Sequence, residues 1–253
     1  MTNLALKRFI LKTLKLRDYK TDYRLMTRFP RYLHYTLIGL LLSDGGLEKP
    51  TITSSVRLSV VMSTNNYPYI LHLYNLFEPY INTDLSIFDI NVKNSLNKKN
   101  KKYSTVRFKS ISMPQLIYFY NLFYTKNVIN GKWEKRVPLE LKFNFNAVSL
   151  AHLLMGDGNY LSERNIIRIY TNSFKKEDVI LLSNIINENL NIKNKVVHDR
   201  RDQYIIIIEK DDVSLTREVT LPFMHPSMYY KLGINQNLIT VNRFNYFNII
   251  NDI

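Results

Sequence analysis

The chain is 253 residues long, with 35 Lys and Arg against 21 Asp and Glu, a formal net charge of +14 and 45 % apolar residues. That length supports one large domain or two small ones with a full core, and the charge points to a polyanionic partner, nucleic acid first. The absence of cysteine excludes disulfides, thiolate metal sites and cysteine nucleophiles, so any metal must be a hard, oxygen-bound one.

In chain order, residues 1–33 form a basic N-terminal extension carrying Lys7, Arg8, Lys12, Lys15, Arg17, Lys20, Arg24 and Arg28, which reads equally as an organellar presequence or as an arm lying on nucleic acid. An apolar helical run follows, Leu37-Ile38-Gly39-Leu40-Leu41-Leu42-Ser43-Asp44-Gly45. Alternation from Val56 to Ser63 predicts a half-buried strand with Arg57, Ser59 and Ser63 on its free side. A helix from Tyr69 to Pro79 comes next, with Pro79 as its stop. Strands over Leu85 to Val92 and Tyr103 to Ser110 flank a basic hairpin tip, Asn94 to Lys102, and a helix over Met113 to Tyr124 leads into a loop through Gly131 and Pro138.

The grammar then repeats. Leu150-Ala151-His152-Leu153-Leu154-Met155-Gly156-Asp157-Gly158 restates the first apolar run. A strand over Ile166 to Thr171, a helix over Lys175 to Asn189, strands over Lys195 to His198 and Tyr204 to Glu209, and a helix over Asp212 to Leu221 follow, with Asp199-Arg200-Arg201-Asp202 as the second basic tip. Each half reads α-β-β-α-β-β-α, so the fold class is α+β, two pseudo-symmetric repeats covering 34–138 and 139–253. Antiparallel sheets of this kind keep one face for helices and leave the other free. The free faces would carry Arg57, Ser59 and Ser63 in one lobe, and Arg168, Tyr170 and Asn172 in the other. No aliphatic run approaches the roughly 20 residues of a membrane span, so no membrane association is expected.

An aspartate in the last turn of a helix faces the partial negative charge of the carbonyl end, where it costs roughly 0.3–1 kcal/mol. Two such aspartates suggest a bound cation. Small residues four apart, Gly39 and Ser43 in one run with Gly156 in the place of Ser43 in the other, let the two helices meet backbone to backbone. Asp44 and Asp157 would then lie side by side, an arrangement disfavoured without a compensating ion. Oxygen-only ligation completed by water suits Mg²⁺.

These residues resemble the LAGLIDADG homing endonucleases, of the single-chain, two-repeat kind encoded by fungal mitochondrial introns, over about residues 34 to 235. The second copy departs from the pattern by placing His152 where glycine stands. The resemblance implies a central two-helix interface beneath two antiparallel sheets that straddle double-stranded DNA, a chain acting as a monomer, and a mitochondrial location. It implies a site-specific, metal-dependent double-strand break at a long asymmetric target, promoting intron mobility. The metal would be held by Asp44 and Asp157 with Gly45 and Gly158; Lys135 and Lys231 would assist catalysis, and Asn172 would order water, a role for which Ser63 is short. Lys98, Lys99, Lys101, Lys102, Arg200 and Arg201 would hold phosphates, while Arg57, Ser59, Ser63, Arg107, Lys109, Arg168 and Tyr170 would read the duplex from the strands. The alternatives are an RNA maturase that binds its host intron RNA, and a cleavage-dead DNA-binding relative, which the intact aspartates and lysines argue against.

Overall fold

A computed structural model of the chain describes residues 28–49, 51, 53–93, 100–128 and 130–235. Most of the basic N-terminal extension, and Lys98 and Lys99, lie outside these residues. Two four-stranded sheets form the frame, each with its strands side by side in the order first, second, fourth, third, and all neighbours antiparallel.

Helix α1 (Arg31–Leu41) leads into β1 (Gly45–Glu48) and β2 (Arg57–Ser63); helix α2 (Tyr67–Leu76) backs the sheet, and β3 (Ser86–Lys93) and β4 (Asn100–Lys109) complete it before α3 (Gln115–Phe123). The second repeat runs through α5 (Ala147–Asp157), β7 (Gly158–Leu161), β8 (Ile166–Ile169), α6 (Lys176–Leu190), β9 (Asn194–Arg200), β10 (Gln203–Ile208) and α7 (Lys210–Thr220). The seven-element pattern is therefore present in both halves. The first strand of each half, which hydropathy does not delimit, starts at the glycine after each aspartate.

Local chemistry sets these boundaries. Pro68 opens α2, and Pro79 falls in a separate single-turn helix, Glu78–Tyr80, so α2 stops earlier than the periodicity suggests. Asn146 caps α5 by accepting from the amides of Val148 and Ser149. Strand β4 begins at Asn100, which removes Lys101 and Lys102 from the hairpin tip and places them in a strand. The segment expected as a plain loop holds a small hairpin, β5 (Tyr124–Lys126) paired with β6 (Trp133–Lys135), and a one-turn helix α4 (Leu141–Asn144). Three-residue strands are too short for alternation to announce them.

The core runs through both repeats. Tyr69, Ile70 and Leu73 of α2 are fully buried, as are Val179, Leu182, Ile185 and Ile186 of α6. Helices α1 and α5 pack on each other, and Leu37, Leu40, Leu41, Leu150, Ala151, Leu153 and Leu154 are completely covered. A Cβ at Gly39 would come within 2.4 Å of the Ser149 carbonyl oxygen and 2.6 Å of His152 Cβ, and one at Gly156 would meet Ser43 at 2.6 Å. The glycines are thus where the two backbones touch, and His152 occupies the space that Gly39 leaves. Its ring bonds to the Thr36 hydroxyl at 3.1 Å and to the Tyr69 hydroxyl at 2.8 Å, satisfying both nitrogens inside the core.

Candidate metal centre and nucleic-acid interface

The two aspartates reach the end of the helix pair by different local routes. Asp157 is the last residue of α5, and its carbonyl accepts from the amide of Tyr170 at 2.9 Å, which ties the helix end to β8. Asp44 stands three residues beyond the end of α1, a correction to its expected place in the last turn. Ser43 causes the offset. Its hydroxyl donates to the Gly39 carbonyl at 3.0 Å and its amide to the Leu40 carbonyl at 3.0 Å, so the helix closes in a tight turn before Asp44.

Asp44 is exposed and Asp157 half-buried, with neighbouring protein atoms taking water from both carboxyls at the seam. Desolvation raises Asp44 above the usual carboxylate range, with Lys231 and then Lys135 pulling the other way. Desolvation and the neighbouring Asp44 charge push Asp157 up to about 7 against the same two lysines. Burial in turn lowers Lys231, and brings Lys135 down to about 8. Four groups from four different elements therefore form one electrostatic unit, with Asp44 raising Asp157 rather than relieving it.

The lysines are anchored by backbone carbonyls around that unit. Lys135, at the end of β6, donates to the Gly45 carbonyl at 2.7 Å and to the Ser43 carbonyl at 3.5 Å. Lys231, in the 3₁₀ helix Pro226–Leu232, donates to the Gly156 carbonyl at 3.0 Å. Gly45 and Gly158 are needed for packing as well, since a Cβ there would lie 2.8 Å from the Leu40 carbonyl oxygen and 2.4 Å from that of Leu154. Among the described residues no group of three or more His, Asp and Glu side chains gathers to make a closed metal cage. Two carboxylates with nearby carbonyls form a hard donor set that suits a divalent cation sharing its shell with water and a phosphate.

Asn172 follows β8 and donates from its amide nitrogen to Asp199 at 3.0 Å and Gln203 at 3.1 Å, while its carbonyl oxygen is buried with no hydrogen-bond partner. Ser63 instead caps the turn before α2 by accepting from the Asn65 amide.

The free face of the first sheet is charged but internally paired. Glu48, facing Arg57 across the β1–β2 register, binds Arg57 and Lys109 at 2.8 Å each. Burial pushes the Glu48 carboxyl up, but the hydrogen bonds from Lys109 and Arg57 outweigh it and hold the group below its ordinary value. Arg107 lies over the Phe88 ring at 4.9 Å. Ser59 is on the expected side but buried, at 8 % exposure, so it does not stand out as an exposed contact; its register neighbours are Gly46 and Lys109. On the second sheet Tyr170 is exposed and Arg168 half-buried, with its Nε lacking any hydrogen-bond partner. Arg200 and Arg201 sit at the β9–β10 turn, Arg201 in the left-handed region at φ 50° and Arg200 bonded to Gln203. Lys101 and Lys102 pair through β4 with Val92 and Asn91. Sequence reasoning missed Glu48; its only signal was a carboxylate four residues past Asp44 in an otherwise basic, polar neighbourhood.

Residues 35–215 match the LAGLIDADG DNA endonuclease family. The chain is 27 % identical over 208 residues to the DNA endonuclease I-ChuI of Chlamydomonas applanata, covering 78 % of this chain and 92 % of that protein. It is also 27 % identical over 201 residues to the cytochrome b mRNA maturase bI2 of Saccharomyces cerevisiae, covering 78 % of this chain and 46 % of that longer protein. Among solved structures it resembles the homing endonuclease I-WcaI bound to its DNA recognition sequence, with a TM-score of 0.73 and 25 % identity over 87 % of this chain and 92 % of that one.

Proposed function

The chain belongs to the LAGLIDADG DNA endonuclease family, and from that premise we propose that it is a homing endonuclease that cuts each strand of one long asymmetric duplex site, with Mg²⁺ as its metal. As a family member it is a DNA endonuclease that depends on divalent metal. The observation that carries the reading is the meeting of Asp44, Asp157, Lys135 and Lys231 at one end of the α1–α5 seam, between two sheets whose free faces carry cations. In our reading the protein acts as a monomer in mitochondria, encoded by the intron whose spread it promotes. Residues 34–138 and 139–253 form its two DNA-binding halves, with 1–33 as an added basic segment.

Asp44 and Asp157 would hold the cation, beside the carbonyls of Gly45 and Gly158. When bound, it supplies Lewis acidity at the scissile phosphate and lowers the pKa of attacking water. The chain's own groups do the rest. Lys135 and Lys231, fixed by carbonyls, would offset negative charge that grows on the phosphate. Lys135, near 8, can also give up a proton at Nζ close to neutrality. Asn172 offers an unsatisfied carbonyl oxygen to a water molecule. Lys98, Lys99, Lys101, Lys102, Arg200 and Arg201 would bind phosphates, and Ser63, Arg107 and Tyr170 would line the duplex.

The test is incubation of purified protein with Mg²⁺ and a randomised duplex library, sequencing the ends produced, with metal omitted as control. Metal-dependent ends at one long site support the reading. Absence of cutting by folded protein, together with tight binding of host intron RNA, would favour a maturase, the second reading that the likeness to the bI2 maturase supports.

A further inference from the structure

Strand β1 lies at the edge of the first sheet, with β2 on one side only. Backbone groups two residues apart on a strand point to the same side, so the outer edge of β1 offers the Gly45 carbonyl and the Leu47 amide as neighbouring groups that face away from β2. The β5–β6 hairpin supplies a partner to each. Lys135 Nζ donates to the Gly45 carbonyl at 2.7 Å, and the Tyr124 hydroxyl oxygen accepts from the Leu47 amide at 3.0 Å. Tyr124 and Lys135 stand directly opposite each other in the β5–β6 register. A cross-strand pair therefore takes the place of a fifth strand, one side chain giving a donor and the other an acceptor, on the strand that begins immediately after Asp44.

Two three-residue strands do not hold a position by themselves. Tyr120 of α3 stacks on Tyr124 with ring centroids 5.0 Å apart and packs against Trp133 at 5.4 Å, and the Arg136 amide donates to the Phe123 carbonyl at 2.7 Å. These contacts fasten the hairpin to α3, whereas the Tyr124 hydroxyl fastens it to β1. Glu134 also pairs with Lys175 at 2.9 Å, but that lysine is 69 % exposed, and a pair so open to solvent restrains little. Lys135 ends in a flexible four-carbon stem, so its ammonium is only as well placed as the strand that carries it. We propose that Tyr124 is a positioning residue for Lys135: its hydroxyl, bound to the Leu47 amide, fixes where the hairpin meets β1 and so holds the ammonium against the carbonyls on either side of Asp44. This rests on the DNA-endonuclease reading above. Lys231 is held by a different device, a 3₁₀ helix whose Leu232 carbonyl accepts from Arg217 Nε at 2.9 Å, so Tyr124 serves one lysine and not the other.

The test uses the whole protein and a duplex carrying the site recovered from the library, with the cut in each strand followed separately in single turnover. Tyr124→Phe keeps the ring and its stack on Tyr120 and removes only the acceptor. It should slow the strand that Lys135→Ala slows most, by about tenfold, the upper end of what one hydrogen bond is worth. The DNA concentration giving half the maximal rate should not change, because the loss falls on the chemical step. In the Lys135→Ala background Tyr124→Phe should have no further effect, and in the Lys231→Ala background its full effect, since a residue that acts through Lys135 has nothing to position once that lysine is gone. Tyr120→Phe, which removes a hydroxyl from the same stack and none from β1, should cut at the parent rate. Equal slowing in both lysine backgrounds, or a parent-like rate for Tyr124→Phe, overturns the proposal and leaves the bond to Leu47 as a support of the fold. A folded parent protein that cuts no site brings down the endonuclease reading itself, and the proposal with it.

Discussion

The two repeats share a strand order, a helix seam and an aspartate at its end, yet they differ wherever those elements face outward. The first sheet carries Glu48 clamped between Arg57 and Lys109, whereas the second carries a small buried cluster of Ile166, Ile205 and Ile207, with Arg168 opposite Ile207. Inside, the contrast is smaller but real: Gly39 makes room, and His152 at the corresponding place in the other helix fills it. Core positions of a duplicated unit must keep packing against one another, whereas its outward faces answer only to a partner. An asymmetric partner therefore draws the two faces apart while the seam stays paired.

If the seam is the shared machinery, loss of either aspartate should be equally damaging. Asp44→Asn and Asp157→Asn should each reduce cutting by about 1000-fold or more, the scale of several kcal/mol that a metal contributes, while DNA binding by gel shift persists. A variant that loses one strand's cut and keeps the other would break the symmetry of the centre. Lys135→Ala and Lys231→Ala should slow cutting by about 100-fold. Lys231 is the stronger counter-charge to both aspartates, so its loss should be the larger in single-turnover rates.

His152 tests the asymmetry of the seam itself. His152→Ala leaves the Thr36 and Tyr69 hydroxyls buried without their partner and should destabilise the fold by about 2 kcal/mol. Burial, with His72 adding to it, brings His152 down to about 3, against 6.5 for a free histidine; Tyr32 and Tyr69 are the other titratable side chains around it. The ring is neutral in the native state, while the unfolded chain takes up a proton below 6.5. Stability should thus be full above about 6.5 and fall as pH drops toward about 3. His72, lowered to about 4 by burial and by His225, should act in the same direction. His152→Gln keeps a bonding side chain without the titration, and its denaturation midpoint should lose less between pH 7 and pH 5 than that of the parent.

Much of this was legible in the sequence, for reasons that also explain the misses. The repeated apolar run ending in Asp-Gly exposed the seam, because a helix buried on all sides needs an apolar residue at nearly every position. Lys135 and Lys231 were found as residues, but the three-residue strand and the short helix that hold them carry no periodicity. The run Ile205 to Ile208 reads as one more strand, and its four consecutive apolar residues mean that both faces of that strand are covered, Ile206 and Ile208 in the main core and Ile205 and Ile207 in a smaller cluster with Ile166. Glu48 stayed hidden because its meaning depends on pairing with Arg57 and Lys109, nine and sixty-one residues away.

Glu48 gives the smallest effect and the most direct contrast between the two faces. It is about one-third exposed, and so are its partners, so removing its charge should change folding stability by less than about 1 kcal/mol. Its consequence lies in binding. A carboxylate on a face meant for DNA repels phosphate and holds two cations away from it, so Glu48→Gln should free Arg57 and Lys109 to bind phosphate. Affinity for unrelated duplexes should then rise and fall off more steeply with salt, by about one additional phosphate contact or two. Discrimination in the first half-site should weaken, because a guanidinium no longer fixed by Glu48 contacts more than one base edge. The second half-site, on a sheet that Glu48 does not touch, should keep its preference unchanged. If Glu48→Gln relaxes both halves alike, the two sheets do not read independently, and their different faces cannot be the source of the target's asymmetry.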